Sequence, residues 1–401
     1  MPTHAAASNQ ARKPDRAPGR DGEAEQTAAE AGLRYVSDLD PGITRRRVGD
    51  TFSYHDPRGE AVREEATLAR IRALAIPPAY RDVWICLSPK GHLQATGRDA
   101  RGRKQYRYHA QWQQARGVGK FDRVIAFGEA LPRLRRHLRR DLAVPGFPRR
   151  KVLAMVVAVM AETLLRVGND SYVRSNKSFG LTTLRNRHVA FVRGGRARFK
   201  FRGKGGLAQD IALDDVKLTR LIRRCQQLPG QALFQYRDDD GELQPVDSGE
   251  VNDYLREAMG ESFTAKDFRT WGGTLAAFQQ LACTPLPEPA QDGAPSERAL
   301  VAAQNEVIRQ VATTLGNTPA VCRKAYIDPA VFAGWREGSV QRAAACFGEG
   351  GARGARQWEQ AALKFLKRAR RAAAKAARKQ ARGKQPARKR ATANGTSVGR
   401  G

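Results

Sequence analysis

At 401 residues the chain has room for two domains with tails, and a 41% hydrophobic content supplies real cores. Its 71 Lys+Arg against 40 Asp+Glu give a formal charge of +31 and a pI near 10.8, a balance that points to a polyanionic partner, most often nucleic acid. Thirteen cations and no acid lie between 364 and 390, yet removing them leaves +18 on the remainder, so the body itself is basic. Cys86, Cys225, Cys283, Cys322 and Cys346 are scattered without a CxxC pair, which suits buried free thiols in a reducing compartment better than a disulfide frame or zinc site. The opening MPTHAAASNQARKP lacks the apolar stretch of a secretory signal. The longest apolar run, Val152 to Ala161, is too short to span a bilayer and meets Glu162. A soluble, cytoplasmic and nucleoid-associated monomer with no membrane partner is expected.

In chain order, residues 1–28 are rich in Ala, Gln and charge and read as a disordered tail. Residues 29–112 then form a strand-rich domain. ITRRRVGDTFSYHD alternates about a Gly49-Asp50 turn; DVWICL (Asp82 to Leu87) and HLQAT (His92 to Thr96) flank a Pro89-Lys90-Gly91 turn; an amphipathic helix covers Glu60 to Leu74. Residues 113–350 are mainly helical, with apolar spacings of three and four over Phe121–Leu142 and Arg149–Val167. Between Leu181 and Leu213 the period switches to two: HVAFVR, Gly194-Gly195, ARFKF, RGKGG and LAQDIAL read as a three-stranded meander whose second turn carries Lys204. Helices resume at Asp214–Leu228, Ser248–Met259, Thr264–Leu281 and Ser296–Leu315, the proline-rich Cys283–Pro295 being a linker. Residues 351–401 are a basic tail, of which Arg356–Arg382 is expected to become helical only on contact with a partner.

Five side chains carry the chemistry. Tyr326, in RKAY, is a phenol whose ordinary pKa of about 10 makes it a poor nucleophile until cations or a base activate it; Arg323 and Lys324 fall within a turn of it. Arg166, in RVGN at the end of a very apolar helix, is one guanidinium fork suited to the charge that builds on phosphoryl oxygens. Arg269 is the other, in KDFRTWGG before a small-residue turn that lets a backbone come close. Lys204, in the glycine-rich turn, either protonates a leaving alkoxide or grips a non-reacting phosphate, and the turn alone admits both. Asn317 follows Leu-Gly nine residues before Tyr326, where its amide can donate a hydrogen bond but cannot titrate. The phosphate-cradling Gly-Lys-Ser/Thr and the zinc-binding HExxH are both missing, and Asp238-Asp239-Asp240 with Glu242 reads as a polar turn; neither metal nor nucleotide nor any other cofactor is called for.

Arg166, Lys204, Lys266-x-x-Arg269, Asn317 and Tyr326, in this order and spacing, resemble the type IB DNA topoisomerases in their compact poxviral and bacterial form, over roughly residues 33–345. The resemblance implies an α+β protein: a small N-terminal antiparallel β-sheet domain and a larger, mainly α-helical catalytic domain with a three-stranded β insert, clamped around duplex DNA. It implies that Tyr326 attacks a phosphodiester to form a 3′-phosphotyrosyl link, relaxing supercoils of either sign without ATP or metal. Arg166 and Arg269 would stabilise the transition state, Asn317 would assist where much of the family has histidine, and Lys204 would be the general acid. It also implies DNA contacts from QATGRDARGRKQYRYH, namely Arg101, Arg103, Lys104, Gln105, Tyr106 and Tyr108, and from Lys266 and Arg323. Tyr172 would touch the DNA backbone, where the residue type alone equally fits a packed aromatic. A tyrosine recombinase or integrase shares the chemistry but is expected to carry His-x-x-Arg and a helical N-terminal domain. A non-enzymatic nucleoid protein would account for the charge and leave the ordered tyrosine, lysine and arginines unexplained.

Overall fold

The computed structural model describes residues 20–100, 102, 104–115, 121–260, 263–289, 293, 295–345 and 354–383, and the chain divides into two compact units at Phe121/Asp122. The protein is α+β. In the first unit α1 (Arg20–Glu30) precedes β1 (Gly42–Val48), β2 (Thr51–His55), α2 (Glu65–Ala73), β3 (Arg81–Cys86), β4 (Leu93–Arg98), β5 (Lys104–Tyr108) and α3 (Ala110–Ala115). The strands form one antiparallel sheet in the order β2-β1-β3-β4-β5. The β1–β2 turn falls where Gly49 takes φ +57, a conformation that costs glycine little. Ile43, Val83, Ile85 and Ala95 from the sheet enclose Ile71 of α2.

Two expectations need correction here. Residues 20–28 are helical rather than disordered, because Ala28 packs with Leu33 and Trp112 in a second small core. Trp112 in turn rests edge-on against His92, which stacks on Tyr35 at 4.3 Å. This aromatic cluster is why α3 belongs to the first unit and why the dividing point lies beyond residue 112.

The second unit opens with α4 (Asp122–Leu142), α5 (Arg149–Thr163) and α6 (Asp170–Asn176). A meander of β6 (Val189–Val192), β7 (Arg196–Arg202) and β8 (Ala208–Leu213) follows, as its alternation predicts, in the order β6-β7-β8. Next come α7 (Val216–Gln226), the hairpin of β9 (Gln235–Arg237) and β10 (Leu243–Pro245), and α8 (Ser248–Met259). The acidic Asp238–Asp240 stretch is the tip of that hairpin, closed by the Asp238 carboxylate accepting from Glu242 N–H. The chain then runs through α9 (Ala265–Cys283), α10 (Glu297–Leu315), α11 (Pro319–Ala325), α12 (Pro329–Arg336), α13 (Ser339–Ala345) and α14 (Ala355–Gly383). Helix α5 is apolar on all sides and buried along nearly its whole length, the burial pattern of a central helix; α4, α7, α8 and α9 all pack on it.

Three further corrections bear on the site. Helix α5 ends at Thr163, four residues short of the expected Val167, because Leu164 turns left-handed (φ 55); Arg166 therefore sits in the loop beyond the helix. Gly272-Gly273 is no turn but lies inside α9, in keeping with the helix expected over Thr264–Leu281. Helix α14 is no pendant tail, since Ala361, Ala362, Phe365 and Leu366 are buried and it packs on α4, α9, α12 and α13. Its charges mislead: an apolar stripe at helical spacing runs beneath them.

Candidate active site

The short helix that presents Tyr326 is written into LGNTP and YIDP. Gly316 ends α10 with φ +57, where Asn317 N–H reaches Ala312 O and Gly316 N–H reaches Thr313 O. Thr318 then caps α11 through Val321 N–H, with Pro319 at the first helical position. Tyr326 closes α11, and Asp328-Pro329 starts α12 in the same way. The nucleophile candidate is thus held between two capped helix ends, with only 7% of its surface exposed.

Arg269 reaches this point from α9. It is 4% exposed, and its Nη1 and Nη2 donate to Leu164 O and Leu315 O, each at 2.5 Å. Those carbonyls end α5 and α10, so the negative poles of two helix dipoles converge on the guanidinium and offset its burial. The plane then lies over the Tyr326 ring at 5.2 Å, and the Nε N–H has no partner in the structure. Arg166 approaches from the loop after α5. Its carbonyl accepts from Leu181 N–H, Gly168 takes φ +106, and a Cβ on Gly180 would stand 2.6 Å from Gly168 Cα. The glycine of RVGN is needed for this crossing. Arg166 Nη2 donates to Asn317 Oδ1 at 2.6 Å, which leaves the buried Asn317 Nδ2 unpartnered.

Lys204 stands at the tip between β7 and β8, where Gly205 (φ +77) and Gly206 (φ +81) reverse the chain. Arg166, Phe179, Phe201, Lys204, Gln209 and Arg269 line a cavity of about 20 Å³, room for about one water. Gln209 touches both the base of this turn at Gly203 and the α10 cap at Gly316. The charges act on one another in consistent directions. Burial pushes the Tyr326 phenol up, but the fields of Arg166 and Arg269 bring it below its ordinary value. Desolvation, aided by Arg166, Arg269 and Lys266, holds the Lys204 ammonium below the usual lysine range, with Tyr326 opposing. A phenol that loses its proton early and an ammonium that gives one up readily suit nucleophile and acid respectively. The two unpartnered donors, Arg269 Nε and Asn317 Nδ2, fit a group rich in acceptors, as a phosphoryl is.

The structure brings Arg166, Lys204, Arg269, Asn317 and Tyr326 together, with the exposed Lys266 near enough to act on Lys204. Arg323 turns elsewhere: its Nη1 donates to Asn305 Oδ1 at 3.4 Å and its guanidinium lies over Phe332. The Tyr172 side chain, Arg101 and Arg103 lie outside the described residues. In the first unit Tyr106 and Tyr108 are stacked on the edge strand β5, 48% and 39% exposed. Lys104 pairs with Asp38 and Gln105 donates to Asp99 at 3.0 Å, so both are engaged within the protein. Sequence reasoning missed Thr274 and Gln209, since no spacing rule singles out one threonine or glutamine. Thr274 Oγ1 donates to Tyr326 O at 3.2 Å, and a Cβ on neighbouring Gly273 would stand 2.8 Å from that same oxygen. Among the described residues no cluster of three or more His, Cys, Asp or Glu is placed to hold a metal ion, and no helix is long and apolar enough to cross a membrane.

Residues 109–333 match the family described as eukaryotic DNA topoisomerase I, catalytic core, and residues 51–99 match the bacterial DNA topoisomerase IB N-terminal domain. DNA topoisomerase 1B of Acanthamoeba polyphaga mimivirus is 33% identical over 292 residues, covering 71% of this chain and 85% of the relative. The chain belongs to the type IB DNA topoisomerases. It is accordingly an isomerase that acts on DNA, with a bacterial-type first domain. More distant members include DNA topoisomerase 1B of vaccinia virus (strain Copenhagen) and DNA topoisomerase I of monkeypox virus, each 23% identical over 247 residues, covering 59% of this chain and 70% of the relative. The five-stranded sheet of this topoisomerase departs from the helical first domain expected of a recombinase.

Proposed function

We propose that this topoisomerase relaxes positive and negative supercoils through a transient 3′-phosphotyrosyl link at Tyr326, without ATP. The convergence of Arg166 and Arg269 on a phenol whose pKa they depress carries this reading. As its proton passes to solvent water, Tyr326 Oη attacks the phosphorus of one strand and the bond from phosphorus to the 5′ oxygen breaks. Lys204 Nζ supplies the proton that the departing 5′ oxygen takes up. Charge building on the non-bridging oxygens meets Arg166, Arg269 Nε and Asn317 Nδ2, fixed donors that need no reorganisation. While the strand is open the duplex swivels. Attack by the 5′ hydroxyl then reverses every step, and the ester keeps the bond energy, so no nucleotide is consumed. We assign backbone contact to the exposed Tyr106 and Tyr108 and to Lys266, and place the protein on chromosomal DNA as a monomer.

Supercoiled plasmid incubated with the protein, EDTA and no ATP should run down to a ladder of relaxed topoisomers. Tyr326→Phe should bind DNA as the wild type does and form no adduct that survives denaturation. Strand cleavage persisting in that variant would refute the assignment.

A further inference from the structure

The basic C-terminal helix reaches the nucleophile's own backbone. Asp328, two residues past Tyr326, is fully buried. Its Oδ1 accepts from Ala330 N–H at 2.9 Å and caps α12, while its Oδ2 accepts from Arg370 Nη2 of α14 at 2.7 Å. The Asp328 N–H donates to Thr274 Oγ1 at 3.1 Å, and that hydroxyl donates onward to Tyr326 O at 3.2 Å. Gly273 closes the arrangement from α9, so near that a methyl would overlap the Tyr326 carbonyl. A chain of three hydrogen bonds thus runs from a guanidinium on α14 to the peptide that carries the phenol. Tyr326 N–H is held at its other end by Cys322 O at 2.9 Å.

We propose that Arg370 and Asp328 are a positioning pair that fixes the Tyr326 peptide for attack, making α14 part of the nucleophile's mount. The inference rests on Tyr326 being the nucleophile. A buried carboxylate holds its place only while its charge is matched. Without Arg370, Asp328 Oδ2 loses the guanidinium it accepts from, and any shift of the carboxylate would carry, through its N–H, to Thr274 and the Tyr326 carbonyl. Attack geometry tolerates little of this, since misplacement by about 1 Å costs about a hundredfold in rate. Neither residue touches the phosphate, so DNA affinity should be spared.

The test uses the full chain and measures single-turnover covalent adduct formation on a saturating DNA duplex, with affinity and melting followed alongside. Arg370→Ala should slow adduct formation about tenfold or more while leaving affinity within about threefold. Adding Asp328→Asn should restore the rate to within about fivefold of wild type, because asparagine still caps α12 and needs no counter-charge. Leu366→Ala, which weakens α14 docking without touching the pair, should slow the reaction by less than about threefold well below its melting point. An Arg370→Ala rate equal to wild type overturns the proposal. So does equal slowing by Leu366→Ala, a double variant as slow as the single, or failure of both Arg370→Ala and the double variant to fold. A wild-type protein that forms no adduct sinks the nucleophile assignment itself, and is told apart from these outcomes on the same gel.

Discussion

Replacing Gly273 by alanine tests how closely the nucleophile is mounted. A Cβ there would meet Tyr326 O at 2.8 Å, Tyr326 Cβ at 3.1 Å and Leu315 Cδ1 at 3.1 Å. Ordinary contact begins at 3.4 Å, so the Tyr326 carbonyl and α9 must separate by roughly 0.6 Å. If about 1 Å of misplacement costs about a hundredfold, 0.6 Å costs roughly 15-fold, equivalent to about 1.6 kcal/mol of activation free energy. Folding stability should change less, because about 1 kcal/mol gained from alanine's helix propensity offsets an overpacking cost of about 1–3 kcal/mol. Gly272→Ala is the control: it gains the same propensity, and although its methyl would meet Leu164 Cδ1 at 2.5 Å and Cδ2 at 2.6 Å, these are side-chain atoms, so relief requires a rotamer change of Leu164 rather than a backbone shift. Single-turnover cleavage of a saturating duplex, read on a denaturing gel, should show Gly273→Ala slowed by more than about tenfold and Gly272→Ala by less than about threefold. Equal rates for the two variants, or a Gly273→Ala enzyme as fast as wild type, would refute the reasoning.

The pH dependence of cleavage should be a bell lying below the ordinary values of its two groups, 10.0 for the phenol and 10.5 for the ammonium. The rate rises as Tyr326 loses its proton and falls as Lys204 loses the one it must donate; Lys204→Ala should abolish the alkaline limb, and Arg166→Ala should move the acid limb upward. Asn317→Asp keeps the oxygen that accepts from Arg166 but deletes the unpartnered Nδ2 donor. Removing one such donor costs about 10²–10³ in rate, measurable in the same cleavage assay with affinity as control. Truncation after Gly383 should leave the melting temperature unchanged and flatten the salt dependence of DNA binding, each lost phosphate contact reducing the log–log slope by about 0.9. Truncation before Ala355 should instead lose the folded second unit in a thermal melt, because Ala361, Ala362, Phe365 and Leu366 leave the core with it.

Much of the fold was legible because it is set by local rules. The Gly49 hairpin, the period-two meander that carries Lys204, the apolar spacing of α4 and the span of α8 all stand where the sequence places them. Lys204, Asn317 and Tyr326 also stand on the elements the sequence gives them, because LGNTP and RGKGG are cap and turn signals as well as motifs. What escaped notice is set by partners remote in sequence. Glycines 272 and 273 suggest a turn because glycine breaks helices in isolation, although the surrounding stretch predicts a helix over Thr264–Leu281. That helix is the one found, and both glycines are small so that Leu164 and Tyr326 can come close. The α14 stretch read as a pendant basic tail because its cations outnumber its apolar residues, although four of the latter are enough to dock one face. Arg166 lies beyond the helix that apolar spacing extends to Val167, because Leu164 ends it in a left-handed conformation no propensity would forecast.

Both Nη groups of Arg269 are anchored on the carbonyl ends of α5 and α10 rather than on a carboxylate. Main-chain oxygens have no protonation state to lose. Acid that would release an arginine from an aspartate leaves this grip unchanged, so the guanidinium's aim stays constant while the phenol and the ammonium titrate around it. Acidity can therefore reach the reaction through those two groups while the frame that points Arg269 at them stays fixed.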